Sequence, residues 1–171
     1  MNKIIIIAIL ITSYVSYSST VLDIAEKELD RNFKELQKEE TPPYYISYNI
    51  TDIEKITINS SFGQVVDNDS TNQRILDIDL RVGDYKVDNT HIIRGSSINF
   101  GGASGFEFLP LDNNSQAISS KIWYSTDKAY KNAIESYEKA KSNAAVKVAQ
   151  EDKSDDFSKE EPVNYEETVP K

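Results

Sequence analysis

The chain has 171 residues, no cysteine and one histidine, with 28 acidic against 19 basic side chains and a formal net charge of −9. The absence of cysteine excludes a disulfide framework, thiolate zinc sites and lipid attachment through a cysteine, and a single imidazole leaves few nitrogen ligands for a transition metal. The negative charge repels phosphate backbones and anionic lipid, so neither nucleic acid nor a membrane surface is an expected partner.

The first 19 residues have the layout of a signal peptide. Lys3 precedes an uncharged apolar run from Ile4 to Ile11, and Thr12 to Ser19 is small and polar, with Ser16 and Ser18 placed for cleavage near Ser18. The apolar run is much shorter than the roughly 20 residues of a permanent membrane span. The expectation is export, to the periplasm or the extracellular space, with no stable membrane anchor. Loss of Lys3 would take the charge from −9 to −10. What remains suits one domain over residues 20–149, followed by an acidic segment over 150–171.

From Val21 to about Gln37, Leu22, Ala25, Leu29, Phe33 and Leu36 recur at steps of three and four, the stripe of an amphipathic helix. Glu26, Lys27, Glu28, Asp30, Arg31, Lys34 and Glu35 are assigned to its solvated face. Asp30 with Lys34 and Arg31 with Glu35 are attractive at the i,i+4 spacing. Pro42-Pro43 ends the helix, because proline lacks the amide donor and pushes its predecessor out of helical geometry.

Two strands are then expected. Tyr44, Ile46, Tyr48 and Ile50 alternate with Tyr45, Ser47 and Asn49, and a second alternation places Ile56, Ile58 and Phe62 on one side, with a reversal at Thr51-Asp52. Asp67-Asn68-Asp69-Ser70-Thr71-Asn72 reads as a polar turn. Asp67, Asp69 and Thr71 mimic the start of a calcium loop, but Asn72 replaces its glycine and Ile78 its bidentate glutamate, so calcium is not expected.

The segment from Arg74 to His91 carries the clearest strand. Leu76, Ile78, Leu80 and Val82 alternate with Asp77, Asp79 and Arg81 up to Gly83-Asp84. Asp77 and Asp79 lie about 7 Å apart on one face. Such a pair can divide acid and base roles, yet with Arg74 and Arg81 beside it surface charge pairing is the better reading. His91 is the only imidazole available as a general base or ligand. No serine is marked as its nucleophile, and a structural role at the strand end is expected.

Between Ile92 and Leu109 the glycine- and serine-rich stretch suggests a mobile loop, without the Gly-Lys-Ser/Thr ending of a phosphate loop. A second helix is expected after Pro110-Leu111-Asp112, with Asp112 or Ser115 as its cap. Its stripe is Ile118, Ile122, Thr126, Ala129, Ala133, Tyr137, Ala140 and Ala144, widened by Trp123, Tyr130 and Ile134 toward the sheet. Tyr44, Tyr45, Tyr48, Tyr85, Tyr124, Tyr130, Tyr137 and Trp123 are groove-lining candidates, though at this periodicity aromatic residues more often build core. Residues 150–171 hold eight acidic side chains against three lysines, a composition that favours a disordered linker or tail.

The run Leu80-Arg81-Val82-Gly83-Asp84-Tyr85-Lys86 with Asp88-Asn89-Thr90-His91 resembles the amino-terminal domain of exported TldD/PmbA-type proteins, a family assigned metallopeptidase activity. So do Leu29-Asp30-Arg31-Asn32, Pro43-Tyr44-Tyr45-Ile46-Ser47-Tyr48 with Thr51-Asp52, and Ser61-Phe62-Gly63. Pro110-Leu111-Asp112, Ile122-Trp123 with Thr126-Asp127-Lys128-Ala129-Tyr130-Lys131, and Asp156-Phe157-Ser158-Lys159-Glu160-Glu161-Pro162-Val163 extend the likeness. The resemblance implies that catalysis belongs to a downstream region bearing a His-Glu-x-x-x-His helix and a ligating cysteine. Neither is in this sequence, as expected of a split-gene product or a fragment ending before the catalytic region, and enzymatic activity of the chain alone is not expected.

The combined expectation is an α+β domain, an antiparallel sheet of about four strands packed by two helices, with an acidic disordered tail. No catalytic, cofactor-binding or metal residue is assigned, and no cofactor. The implied role is a non-catalytic amino-terminal module serving assembly or peptide-cleft formation. Its partners would be a downstream peptidase domain, a family dimer partner or a peptide substrate. The alternative is a free-standing secreted binding protein.

Overall fold

A computed structural model describes residues 20–91, 106–146, 155–161, 163–165 and 167, with side chains of the second helix described through residue 142. The expected leader and most of the glycine-rich stretch lie outside the described residues. The element order is α1 (Val21–Leu36), β1 (Pro43–Ser61), β2 (Gln64–Val82), β3 (Glu107–Leu109) and α2 (Ser115–Val146). The sheet is antiparallel in the order β1-β2-β3, and both helices pack on one of its faces. The class is α+β, with three strands where about four were expected.

The lower count has a local cause. The chain does not reverse at Thr51-Asp52: Thr51 pairs with Ile75 and Asp52 with Arg74, so the two expected strands are one. Arg74 grips Asp52 with two parallel bonds, Nε to Oδ1 at 2.6 Å and Nη2 to Oδ2 at 3.0 Å, which hold β1 straight across this point. The reversal falls at Phe62-Gly63, both at positive φ, of +50° and +77°. Two adjacent left-handed residues suit a tight hairpin turn, and glycine supplies one without steric cost. The expected polar turn at Asp67–Asn72 is therefore strand, paired with Glu54–Asn59.

The helix-facing side of the sheet follows the period-2 pattern. Ile46 on β1 and Leu76, Ile78, Leu80 and Val82 on β2 are buried, and Ile118, Ile122, Ala129 and Ala133 of α2 pack over them with Ile24 and Ala25 of α1. The α2 stripe thus lies where the spacing puts it through Ala140, and Ala144 lies outside the described side chains. Asn114 caps this helix, its Oδ1 accepting from the Ala117 amide at 3.0 Å, in place of Asp112 or Ser115. Trp123 turns outward and is 53% exposed, away from the sheet.

Helix α1 buries Ala25 and packs Leu29, Phe33 and Leu36 of its expected stripe against the core, but departs from it at three positions. Leu22 is 76% exposed, while Glu28 and Asn32 are buried with Ile24 and Ala25. A capping box fixes the start: Thr20 Oγ1 accepts the Asp23 amide and Asp23 Oδ2 accepts the Thr20 amide. Hydrogen bonding of the Asp23 carboxyl to the Thr20 amide, and then to its hydroxyl, holds it below its usual pKa. Asn32 faces inward because it has partners there, Tyr48 Oη at 2.9 Å and Thr126 Oγ1 at 3.5 Å, and Glu28 pairs with Arg31 rather than leaving Arg31 to Glu35. A hydrogen-bonded amide replaces an apolar contact at that point of the stripe. No helix among the described residues is long and apolar enough to cross a membrane.

Candidate functional site: a seat for a chain segment

The sheet face away from the helices carries the densest cluster of polar and aromatic groups. Its frame begins at the end of β2. Gly83, at φ +108°, lies so close to α2 that an added Cβ would meet the Tyr137 ring at 2.5 Å and Val87 O at 2.6 Å. The following loop closes on itself. The Asp84 amide donates to Val87 O, and Asp84 Oδ1 accepts the Lys86 and Val87 amides, which lowers the Asp84 pKa. The Asn89 side chain, buried, accepts from the Val82 amide and donates to Leu80 O, serving β2 as a short stretch of partner strand.

Asp88 anchors the cluster and is fully buried. One carboxylate oxygen accepts from Tyr44 Oη at 2.7 Å and Arg81 Nη1 at 3.1 Å, and the other accepts from the amide and hydroxyl of Thr90, both at 2.6 Å. A buried charge persists only when paired and hydrogen-bonded, and this one has four donors. Burial, followed by the Asp88 contact, pushes the Tyr44 hydroxyl well above the ordinary tyrosine pKa, so it remains a donor. For Arg81 burial opposes the charge, but Asp79 and Asp88 outweigh it and raise its pKa.

A register shift between Pro43 and Tyr45 completes the frame. Tyr44 is the extra residue of a bulge, and bulges re-aim side chains. Strict alternation would separate Tyr44 from Tyr45, yet both rings meet Phe157, at centroid distances of 6.0 and 4.8 Å. Tyr85 closes a third side at 5.9 Å, and the Arg81 guanidinium lies 4.3 Å from the Phe157 ring centre. Cation–π contact of this kind contributes about 0.5–2 kcal/mol, more as water is excluded.

Residues 155–161 thus lie against the domain. The Phe157 amide donates to Tyr85 O at 3.2 Å, the Asp88 amide donates to Asp156 Oδ2 at 3.0 Å, and Arg81 Nη1 donates to Asp156 O at 3.4 Å. His91 Nδ1 is 2.9 Å from both Asp156 carboxylate oxygens, so the histidine expected to serve the strand end joins two distant parts of the chain instead. Lys159 places its ammonium 4.8 Å from the centre of the Tyr85 ring.

The other candidates separate. Asp77 is exposed and Asp79 pairs with Arg81 on its own strand, while Arg74 points to the opposite face and pairs with Asp52. Tyr48, Tyr130 and Tyr137 pack against the core, whereas Tyr124 is exposed beside Trp123. A second polar cluster sits in the core, where Tyr48 Oη and Thr126 Oγ1 are 2.7 Å apart and Thr126 Oγ1 donates to Ile122 O. It lies on the helix side of the sheet, away from His91. Among the described residues no group of three or more His, Asp or Glu side chains converges on a point that would hold a metal.

Sequence reasoning quoted Asp88, Thr90, Asp156 and Phe157 only within the resemblance and gave none of them a site role. The one local signal was an isolated phenylalanine inside a strongly acidic segment. No protein-family model, curated protein or solved structure matches this chain.

Proposed function

We propose that this chain is a non-catalytic module that holds extended polypeptide, the amino-terminal module of a TldD/PmbA-like peptidase serving assembly or formation of a peptide cleft. The observation that carries the reading is the Phe157 seat, in which tyrosine rings, a guanidinium and main-chain groups converge on a short, non-helical length of chain. Its charged groups are spent on one another: Asp88 is saturated by four donors, and the His91 imidazole faces a carboxylate. In this reading the saturated Asp88 and the carboxylate-facing His91 serve to hold chain. Three of the stretches that carry the resemblance contribute residues to this seat: Tyr44 and Tyr45 from the first, Arg81, Tyr85, Asp88 and His91 from the second, and Asp156, Phe157 and Lys159 from the third. In this reading the protein is exported, and its partners are a downstream peptidase region, a family dimer partner or peptide substrate.

The test is hydrolysis of fluorogenic peptides by the purified chain, with zinc and with chelator, alongside pull-down of a peptidase half bearing His-Glu-x-x-x-His. No hydrolysis together with capture of that half is expected; chelator-sensitive cleavage by the chain alone would overturn the reading. The same seat favours a second reading, a free-standing secreted binding protein. Reading the DNA that follows the Lys171 codon separates the two, since a neighbouring frame encoding His-Glu-x-x-x-His favours the split peptidase.

A further inference from the structure

The seat reads particular positions of the segment it holds. At the first, the Asp156 carboxylate receives the Asp88 amide and faces His91. At the second, the Phe157 ring fills the space between Arg81 and the tyrosines, and its amide is held by Tyr85 O. At the fourth, the Lys159 ammonium lies over the Tyr85 ring. Asp155, Ser158, Glu160 and Glu161 are exposed, and Lys159 is exposed too except for its contact with the Tyr85 ring. Contact at separated positions, with exposed residues around them, is how a groove selects a short linear sequence.

Most of the frame, His91 and the Asp88 amide apart, is held by bonds that do not involve its occupant. Arg81 is fixed by Asp79, Asp88 and Thr90, Tyr44 by Asp88, and the Tyr85 loop by the Asp84 turn, all within residues 44–90. A pre-organised site loses little entropy when it is filled and does not depend on which chain fills it. The segment is held through the Asp156 side chain, which is 15% exposed, the partly buried Phe157 ring and a few main-chain bonds, a contact small enough to open locally and exchange.

We infer that this seat is a recognition site for peptides of the form Asp-Phe-x-Lys, and that residues 155–161 are its resident occupant in cis, competing with such a peptide from another chain. The inference rests on the reading of the chain as a peptide-holding module and names the ligand of that site. Arg81 and the tyrosines would select the aromatic ring, the Asp88 amide and His91 the preceding acid, and the Tyr85 face the lysine.

The test uses the full chain carrying Phe157→Ala, which withdraws the resident ring, and a labelled peptide Asp-Asp-Phe-Ser-Lys-Glu-Glu followed by fluorescence anisotropy. Saturable binding at least tenfold tighter than to the unsubstituted chain is expected, with at least a tenfold loss when the peptide phenylalanine becomes alanine. Asp156→Ser in the full chain is the second opening variant and should likewise bind more tightly than the unsubstituted chain. Adding Tyr85→Ala to the Phe157→Ala chain should weaken binding at least threefold. Equal binding of the phenylalanine and alanine peptides, equal binding by opened and unsubstituted chains, or no binding to either opened variant would overturn the inference. Those results leave the module reading standing, since hydrolysis and capture of the peptidase half decide that one.

Discussion

The hairpin of β1 and β2 is one continuous ladder of two 19-residue strands, yet its two halves have different fates. In the base, Ile46, Leu76, Ile78, Leu80 and Val82 are covered by both helices. In the arm, Ile56, Ile58 and Val65 continue the same helix-facing side and are each more than 60% exposed, with Phe62 fully exposed at the tip. Arg74 marks the boundary. Besides Asp52, its guanidinium reaches Pro110 O at 3.1 Å and Asn113 Oδ1 at 3.3 Å, joining the ladder to the entry of α2. Alternation makes a strand capable of having a buried face, but a second layer must be present to bury it.

The largest break in this contrast should come from Leu76→Ala in the base. Leu76 is 1% exposed between sheet and helices, and the substitution should cost about 2–5 kcal/mol in urea denaturation. Gly83→Ala follows. The new Cβ would collide with Tyr137 and Val87 O at a positive φ, and a loss of about 2–4 kcal/mol is expected from overpacking and strain together. A near-neutral result would mean that the base does not close as tightly as the seat requires.

Arg74→Met tests the boundary. Asp52 is 63% exposed, so the ion pair itself is weak, and the loss of the contacts to Pro110 and Asn113 dominates an expected cost of about 1–2 kcal/mol. Hydrogen exchange should rise in the arm and at the first turn of α2 while the Leu76–Val82 amides stay protected. If exchange rose equally everywhere, Arg74 would be part of the core rather than its edge.

Acid sharpens the contrast further. Glu107 on β3 holds Lys121 and Lys128 of α2 at 2.8 and 2.9 Å, and these hydrogen bonds lower its pKa below the reference value of 4.5. A carboxyl depressed in the folded state contributes stability that is present above its unfolded pKa and is lost as pH falls through the folded one. Melting temperature should therefore fall as pH drops below about 4.5, and less steeply in Glu107→Gln. Asp84, depressed by backbone amides, adds to the slope in both proteins. The smallest effect belongs to the arm, where Ile58→Thr should shift stability by no more than about 0.5 kcal/mol. A larger loss would show that something covers this face in solution.

These contrasts explain what could be read in advance. The α2 stripe and the Leu76–Val82 alternation were legible because each depends on the period of one element against one neighbour. The reversal was misplaced because Thr51-Asp52 is a plausible turn until Arg74 is known to stand opposite, whereas Phe62-Gly63 looks like an ordinary apolar residue before a glycine. Glu28 was assigned to the solvated face by polarity and Asn32 to neither face, and only the positions of Tyr48 and Thr126 make an inward amide favourable. The seat was the least legible part, since Phe157 lies more than 60 residues from every group that holds it.

By itself the sequence determined the α+β class, both helices and the faces of the central strand, because side-chain periodicity and proline and glycine chemistry act over a few residues. The tertiary structure decided where the hairpin turns, which half of it is core, and that Tyr44, Tyr45, Arg81 and Tyr85 surround one ring. Those outcomes depend on a bulge, a buried carboxylate and chain segments far apart in sequence, and no local pattern encodes the distance between them.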